Sequence, residues 1–308
     1  MSARALLPLT LPLVFTLMVV VFALQAPGFL SVGNLQSLLL NNFVLLAIVA
    51  IGMTYAVAAG GIDLSVGTSL DFASFGFVVL LNAGHGWAFA ATGALIAALL
   101  VGVVNAGLIA GLRISPFLAT LGTLFIGTSA QQLLSDGGQP IYIVQGLKPE
   151  LTGLTPLLIV LGLGLFYGLA LARGRLGREL LAQGTQPLLA YYSGLSVRRI
   201  VTVVALATAL ACGVAGVLLG STVSAYVPLS GNAFLLNAIG AVFIGTTLSR
   251  QGRANILGTL LGVLFINVIA NGLLLIGWNF YWQQVATGVL IFAVLTFSFA
   301  SRRLLERY

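Results

Sequence analysis

The chain has 308 residues, of which 59% are hydrophobic and only 6% are charged, and its formal net charge is +7. Soluble domains carry about a quarter charged residues, so a chain this poor in charge cannot cover a water-facing surface and is an integral membrane protein. In a soluble protein the positive charge would suggest nucleic acid, but no groove-reading motif accompanies it, so no nucleic-acid partner is expected.

Apolar stretches long enough to cross a bilayer follow one another along the whole chain. A membrane-spanning helix needs about 20 mostly apolar residues, and such stretches between polar or Gly/Pro punctuation predict ten helices. The sequence therefore predicts an all-α polytopic membrane protein with a single transmembrane domain over residues 1–308. The predicted spans are 8–25, 36–58, 67–82, 88–112, 117–134, 154–172, 200–224, 233–248, 256–276 and 282–300.

The basic residues indicate the orientation of these spans. With the N-terminus in the cytoplasm and the spans alternating, twelve of the 13 lysine and arginine residues fall inside, and only Lys148 falls outside. Cytoplasmic loops carry an excess of Lys and Arg, so both termini are predicted to be cytoplasmic. The largest inner loop is 173–199, and the outer loop that holds Lys148 is 135–153.

A polar break interrupts the apolar sequence between the second and third spans. It reads Gly60-Gly61-Ile62-Asp63-Leu64-Ser65-Val66-Gly67. A buried aspartate flanked by glycines is costly in lipid and is tolerated only where protein or a water-filled path surrounds it, so the break indicates a transport protein. A structural role is the alternative: the two glycines can end one helix, and Asp63 or Ser65 can cap the next.

Ionisable groups are scarce within the spans. Asp63 and Asp71 are the only acids there, which is a meagre relay for an ion-coupled secondary carrier, although such a carrier remains an alternative, as does a passive channel. The other polar side chains are hydroxyls and amides, which suit a neutral, hydroxyl-rich solute or else hold helices together. They are Asn41, Asn42, Thr54, Ser74, Asn105, Thr120, Thr123, Thr128, Asn237, Thr246, Thr247, Asn267 and Asn271.

The inner loop contains a short apolar and aromatic segment. Pro187 opens the run Leu188-Leu189-Ala190-Tyr191-Tyr192, and Ser193-Gly194 closes it. Proline at a first helical position and glycine just past the end predict a helix of about two turns. An apolar helix that faces the cytosol indicates a protein partner, and the alternative is a helix that lies flat in the lipid interface.

Other kinds of site find little support. The single cysteine, Cys212, is predicted to be a small buried residue, and the single histidine, His85, a turn residue without metal partners. The only lysine, Lys148, does not fit the phosphate-binding loop G-x-x-x-x-G-K-[S/T], so no nucleotide site is predicted. If transport uses ATP, another chain must hydrolyse it.

Four ordered motifs resemble the ribose-type permease subunits of bacterial ABC sugar importers, and the resemblance covers almost the whole chain. The break at 60–67 is the family's signature, and residues 50–54 match the pattern before it. Residues 114–123 match at the start of the fifth span. The inner loop follows the family pattern at Gly177, Arg178, Ala182, Gly184, Ser193, Gly194 and Leu195.

The chain also departs from the family pattern. Gln186 stands where the family usually has Asn, and residues 235–237 (Leu-Leu-Asn) lack the two acids usual before the eighth span. The turn at 250–254 carries two added arginines, Arg250 and Arg253. These departures fit one half of an asymmetric pair of permeases.

The resemblance implies a permease, not an enzyme, in the bacterial inner membrane. It would pair with a like or unlike second permease subunit, sit on cytoplasmic ATPases that use ATP and Mg²⁺, and receive a sugar from a periplasmic binding protein. No cofactor or metal is implied in this chain. The implied pathway and signature residues are Gly60, Gly61, Asp63, Ser65, Gly67, Phe117, Thr120, Thr123 and Asn237. The implied ATPase-coupling residues are Gly177, Arg178, Gly184, Pro187, Tyr191, Tyr192, Ser193 and Gly194.

Overall fold

The computed structural model describes residues 3–144, 151, 153–249, 251–279, 281–289, 291–293 and 296. Lys148, Arg250 and the C-terminal arginines therefore lie outside the described residues. The chain is helical almost throughout. Its α-helices are α1 (Ala3–Gln25), α2 (Val32–Ser37), α3 (Val44–Ala58), α4 (Val66–Asn82), α5 (Trp87–Ala106), α6 (Pro116–Leu134), α7 (Thr155–Arg173), α8 (Arg175–Thr185), α9 (Pro187–Tyr192), α10 (Val197–Val223), α11 (Asn232–Thr247) and α12 (Ile256–Leu275).

The helices reproduce the predicted spans. Among the described residues, six continuous helices are long and apolar enough to cross a membrane, and three shorter apolar helices accompany them. Together they coincide with the first nine predicted spans. The tenth, 282–300, overlaps helical residues 281–289, 291–293 and 296, and the remainder lies outside the described residues. The prediction of a polytopic all-α membrane protein is confirmed.

Three local features were not predicted from the sequence. Two π-helical segments, Leu38–Phe43 and Gly107–Gly111, join α2 to α3 and extend α5. A two-stranded antiparallel ribbon pairs β1 (Ile141–Tyr142) with β2 (Ala225–Tyr226). Two-residue strands leave no periodic signal, because a single pair of residues cannot show alternation.

Helix α3 lies at the centre of the bundle. Apart from Leu45 and Val57, every one of its 15 residues is buried, as expected of a helix that is apolar on all sides. It packs against α7, α10, α11 and α12. Cys212 on α10 is fully buried in the same core, as predicted, and His85 lies in the exposed turn before α5, where its ring stacks on Phe89.

Helices α4 and α11 begin beside each other inside the bundle. A Cβ placed on Gly67 would stand 2.8 Å from the carbonyl carbon of Gly231, so the two helix starts approach at backbone distance. Gly67 precedes Asn82, the last residue of α4, by 15 residues, or about 22 Å of helix. Residues 225–232, which connect α10 to α11, are therefore not a simple surface loop: they descend from β2 to the level where α4 begins.

Candidate functional site

The polar break forms a tight turn at the end of α3. Gly60 has φ +84°, a left-handed conformation that favours glycine. The amide of Gly61 donates to the carbonyl of Ala56 at 2.9 Å, which closes the last turn of α3. The two glycines thus end the helix, as the sequence predicted.

Asp63 is held by the residue that precedes α4. Its Oδ1 accepts from the backbone N–H of Ser65 at 2.8 Å and from the Ser65 hydroxyl at 2.6 Å. Asp63 is 8% exposed and Ser65 is fully buried. Ser65 occupies the N-cap position of α4, but its side chain accepts no bond from that helix. Of the two capping candidates, Asp63 therefore binds the turn backbone, and the Ser65 hydroxyl is engaged elsewhere.

Ser65 connects Asp63 to two further helices. Its hydroxyl oxygen accepts from Asn105 Nδ2 at 2.7 Å, and Asn105 Oδ1 accepts from the Thr123 hydroxyl at 2.7 Å. All four residues are buried. We call Asp63, Ser65, Asn105 and Thr123 the polar chain. It links the start of α4 to α5 and α6. Each side chain in it forms a hydrogen bond with the next, which fixes the position of both.

A small cavity lies against the polar chain. Its volume is about 50 Å³, and its polar lining comes from Asp63, Asn105 and Thr120. Sites for small organic ligands occupy about 300 to 1,000 Å³, whereas one water needs only about 10 to 15 Å³. The cavity therefore has room for water but not for a sugar.

Of the remaining predicted pathway side chains, Thr120 lines the cavity, whereas Phe117 and Asn237 do not. The Thr120 hydroxyl lines the cavity and donates to the carbonyl of Pro116 at 2.8 Å. Phe117 is half exposed on the first turn of α6. Asn237 is partly exposed on α11 and donates within its own helix to the carbonyl of Ala233 at 3.1 Å. The side chains of Phe117 and Asn237 take no part in the polar chain.

Other polar residues within the spans hold helices together. Thr54 on α3 and Thr259 on α12 share a hydrogen bond of 2.8 Å, and Asn271 on α12 pairs with Asn34 on α2 at 2.9 Å. Asp71, buried on α4, accepts from the backbone N–H of Gly231 at 2.8 Å. Gly231 is missing from the predicted site, since only the folded chain brings 231 to 67 and 71.

The inner loop folds into two short helices. The predicted helix at Pro187 is present as α9, with proline at its first position and Gly194 at φ +78° just beyond it. Tyr191 and Tyr192 are 66% and 79% exposed, whereas Ala190 is buried. Helix α8 precedes it, and the Arg178 guanidinium on α8 donates to the carbonyl of Arg173 at 3.1 Å.

Glycine–glycine packing joins the inner loop to the polar break. A Cβ on Gly184, near the end of α8, would overlap the carbonyl oxygen of Ala58 and stand 2.9 Å from the Gly60 nitrogen. A Cβ on Gly60 would in turn stand 3.1 Å from the Gly184 Cα. A similar contact fixes the other end of α8, where a Cβ on Gly177 would overlap the Leu171 backbone. Helix α8 therefore packs directly against the turn that holds Asp63.

Comparison with known proteins identifies a family and several relatives that the chain is similar to. Residues 36–295 match the family described as "Branched-chain amino acid transport system / permease component". The autoinducer 2 import system permease protein LsrD of Escherichia coli K12 is 30% identical over 298 residues, which cover 93% of this chain and 90% of that protein. LsrD of Shigella flexneri gives the same figures, and LsrD of Escherichia coli O157:H7 is 31% identical over 266 residues, 83% of this chain and 81% of that protein. No solved structure matches the chain.

Proposed function

The chain belongs to the branched-chain amino acid transport system permease-component family, which makes it a permease subunit of a bacterial ABC importer, and we propose that its solute is a monosaccharide or a similar small hydroxylated molecule. It is a multi-pass protein of the inner membrane and not itself an enzyme. Permeases of this family carry no cofactor, and the ATP that drives transport is used by the partner ATPase.

Two observations support the proposed class of solute. The polar side chains along the inner helices are predominantly hydroxyls and amides, which exchange hydrogen bonds with a hydroxylated solute without the cost of moving a bare charge. The relatives named above import autoinducer 2. Together these two observations favour a small hydroxylated solute over a charged one.

The observation that carries the mechanism is the contact between Gly184 and Gly60. Helix α8 and helix α9 follow one another in the inner loop, so a displacement of α9 is transmitted through α8 to the turn at Gly60. That turn holds Asp63 and, through it, the polar chain of α4, α5 and α6. Movement at the inner surface would therefore open or close the small cavity beside Asp63.

Helix α9 supplies a surface for the ATPase. Leu188, Tyr191 and Tyr192 are all more than 60% exposed, and aromatic side chains of this kind are typical anchors of protein interfaces. Arg178, beside α9, would add electrostatic attraction, and Ser193 and Gly194 end the helix. We infer that α9 enters a groove of the ATPase and that ATP binding there drives alternating access. A helix that lies flat on the lipid interface is the alternative for the same exposed residues.

The rest of the importer follows from the family. An ATPase and a binding protein complete it, and a second permease subunit, like or unlike this one, would face this chain across the solute path. The pathway role of Phe117 and Asn237 belongs to that paired assembly, because Phe117 is half exposed and Asn237 partly exposed in the single chain.

Substitution of Tyr191 tests the role of α9. We expect Tyr191→Asp to weaken co-purification of the ATPase by about tenfold or more, because a carboxylate would lose an apolar anchor and be desolvated in the groove. Solute-stimulated ATP hydrolysis should fall with it, while the permease still inserts in the membrane.

Tyr142→Asp is the matched control. Tyr142 is 70% exposed in β1, at the opposite end of the bundle, so it should leave ATPase co-purification unchanged. If Tyr191→Asp retains the ATPase and full stimulation, α9 is not the coupling helix.

A further inference from the structure

A groove separates α7 from α12 in the cytoplasmic half of the bundle. Its volume is about 910 Å³. Its walls are apolar, with leucines from one turn after another on both helices: Leu161, Leu165, Leu169, Leu257, Leu260 and Leu261. Several of these leucines are more than half exposed, so the groove opens sideways from the bundle rather than into its interior.

The inner mouth of the groove is basic. Arg173, the last residue of α7, and Arg253, three residues before α12, both line it and are exposed. Among the residues that the structure describes, none of those that line the groove is acidic. The nearest acid in the sequence, Glu179 on α8, is already paired with Arg175 at 2.8 Å. Within the described part of the chain, the two arginines therefore place positive charge at the mouth with no acidic side chain lining the groove beside them.

The backbone at the mouth adds to this positive potential. Helix α12 begins at Ile256, next to Arg253, and its 20 residues give the N-terminus a partial positive charge. Asn255 caps that end by accepting from the N–H of Gly258 at 2.7 Å. An anion at the mouth would be attracted by the arginines and by the helix end together.

The length of the groove matches one leaflet of a bilayer. Leu161 precedes Arg173 by twelve residues on α7, which is about 18 Å of helix. Half of the hydrocarbon core of a membrane is about 15 Å thick. The arginines thus lie at the depth of the inner headgroups, and the leucines line the depth of the acyl chains.

We propose that this groove binds an anionic phospholipid of the cytoplasmic leaflet. The phosphate lies between Arg173 and Arg253, and an acyl chain follows the leucines between α7 and α12. Basic residues between helices at the cytoplasmic side are a recognised basis for anionic headgroup binding. A soluble partner would not need the apolar walls at this depth, and a neutral lipid would not need the two arginines.

The charge of the mouth is tested by lipid binding to the purified full chain. The probe is palmitoyl-oleoyl phosphatidylglycerol, compared with phosphatidylcholine of the same acyl chains, by native mass spectrometry and by thermal unfolding. Phosphatidylglycerol should stay bound to the wild-type chain and raise its melting temperature. Phosphatidylcholine should neither stay bound nor raise the melting temperature. An arginine near an anionic headgroup contributes about fivefold in affinity, so Arg173→Gln with Arg253→Gln should weaken binding roughly 30-fold.

The matched control removes two other arginines from the same membrane face. Arg198→Gln with Arg199→Gln makes the same change in net charge at the start of α10, outside the groove, and should retain the lipid. Equal loss in both double variants would mean a general surface potential and would overturn the proposal, as would equal binding of the two lipids by wild type.

The apolar wall is tested independently of charge. Gly168 on α7 lines the groove, and a Cβ there would meet Ile256 at 3.6 Å, so Gly168→Leu fills the space that an acyl chain would occupy. Gly162, on the same helix, has no atom within 4 Å of such a Cβ, and Gly162→Leu is the control.

We expect Gly168→Leu to lose phosphatidylglycerol with both arginines present, and Gly162→Leu to keep it. Free glycerol 1-phosphate at the same concentration should not protect wild type, because it lacks the acyl chain. Full protection by that headgroup alone would contradict a lipid site. A change from dimer to monomer in the groove variants, at unchanged lipid content, would make the groove a subunit interface and refute the proposal.

Discussion

Asp63 shows how a single acid is accommodated at membrane depth. A carboxyl group away from water is costly unless hydrogen-bond partners replace the water that it loses. Here Oδ1 accepts two hydrogen bonds from Ser65, one from the backbone and one from the hydroxyl. The residue types of the break predicted such a turn, because glycine ends helices and aspartate binds nearby backbone N–H groups.

The partners of Ser65 were beyond the reach of the sequence. Asn105 lies 40 residues further along the chain, and Thr123 another 18. Each was one among many hydroxyl and amide side chains within the spans, and no local pattern distinguishes a residue of the polar chain from one that bonds its own helix. Only the packing of α4 against α5 and α6 makes that distinction.

Removal of the Ser65 hydroxyl tests the polar chain. Ser65→Ala deprives Asp63 of a donor and leaves Asn105 Nδ2 without its acceptor, and a buried polar group left unsatisfied costs about 1 to 3 kcal/mol. We expect a lower melting temperature and reduced solute uptake by the assembled importer. The measurement is thermal unfolding of the purified chain, with transport assayed in vesicles.

Ser221→Ala serves as the control for that prediction. Ser221 is also buried, but its hydroxyl bonds only the carbonyl of Val217 in its own helix. Its loss leaves no other side chain without a hydrogen-bond partner, so the melting temperature should change little. Equal melting temperatures for Ser65→Ala and wild type would mean that the polar chain contributes nothing to the fold.

At the scale of elements, the inner loop divides into a predicted part and an unpredicted part. The boundaries of α9 followed from Pro187 and Gly194, whose backbone preferences act locally. Helix α8 was not predicted, and it owes its place to glycines at both ends, Gly177 and Gly184, that admit a neighbouring backbone. Close approach of this kind depends on the whole fold, and the sequence shows only that glycines are present.

The Gly184 contact predicts a separation of binding from transport. Gly184→Ala would force α8 away from Ala58 and Gly60, and overpacking of this kind costs about 1 to 3 kcal/mol. The exposed face of α9 is untouched, so the ATPase should still bind. We expect a several-fold drop in solute molecules imported per ATP hydrolysed.

Gly122→Ala is the corresponding control, because a Cβ at Gly122 meets no atom within 4 Å. It should transport as wild type does. If Gly184→Ala keeps the wild-type ratio of uptake to hydrolysis, the contact between α8 and the polar break does not transmit the motion.

The connection from α10 to α11 has a depth in the bundle that a count of spans does not give. Counting apolar stretches identifies residues 225–232 only as a short connection between two helices. In the structure Tyr226 is fully buried and Gly231 reaches Asp71. Hydropathy reports whether a segment can cross the membrane, but depth is set by contacts such as that hydrogen bond.

At the scale of the whole molecule, the fold was largely predictable. Apolar length decides which segments cross a bilayer, and the arrangement of basic residues decides their direction, so both are written locally in the sequence. The relative positions of the helices are not, since small residues and single hydrogen bonds select them. This is why the predicted spans agree with the helices while the predicted pathway residues divide into a connected cluster and two separate side chains.

The source of energy for transport is a property of the whole molecule. A secondary carrier would have to load and release its ion at Asp63 or Asp71. Asp63 is held by Ser65, and Asp71 is fully buried and bonded to the backbone of Gly231. Both carboxylates therefore have partners within the fold that hold them in place. We expect vesicles that contain this chain alone to accumulate no solute under an imposed proton or sodium gradient.

The complete importer, with ATPase, second permease subunit and binding protein, should accumulate solute only with ATP and should be unaffected by an uncoupler. Asp63→Asn separates the two mechanisms further. An amide can still accept from Ser65, so ATP-driven uptake should persist at a reduced level, whereas ion-coupled uptake would vanish because an amide cannot carry a proton at neutral pH. Gradient-driven accumulation by the chain alone, abolished by Asp63→Asn, would establish the carrier and exclude the ATP-driven mechanism.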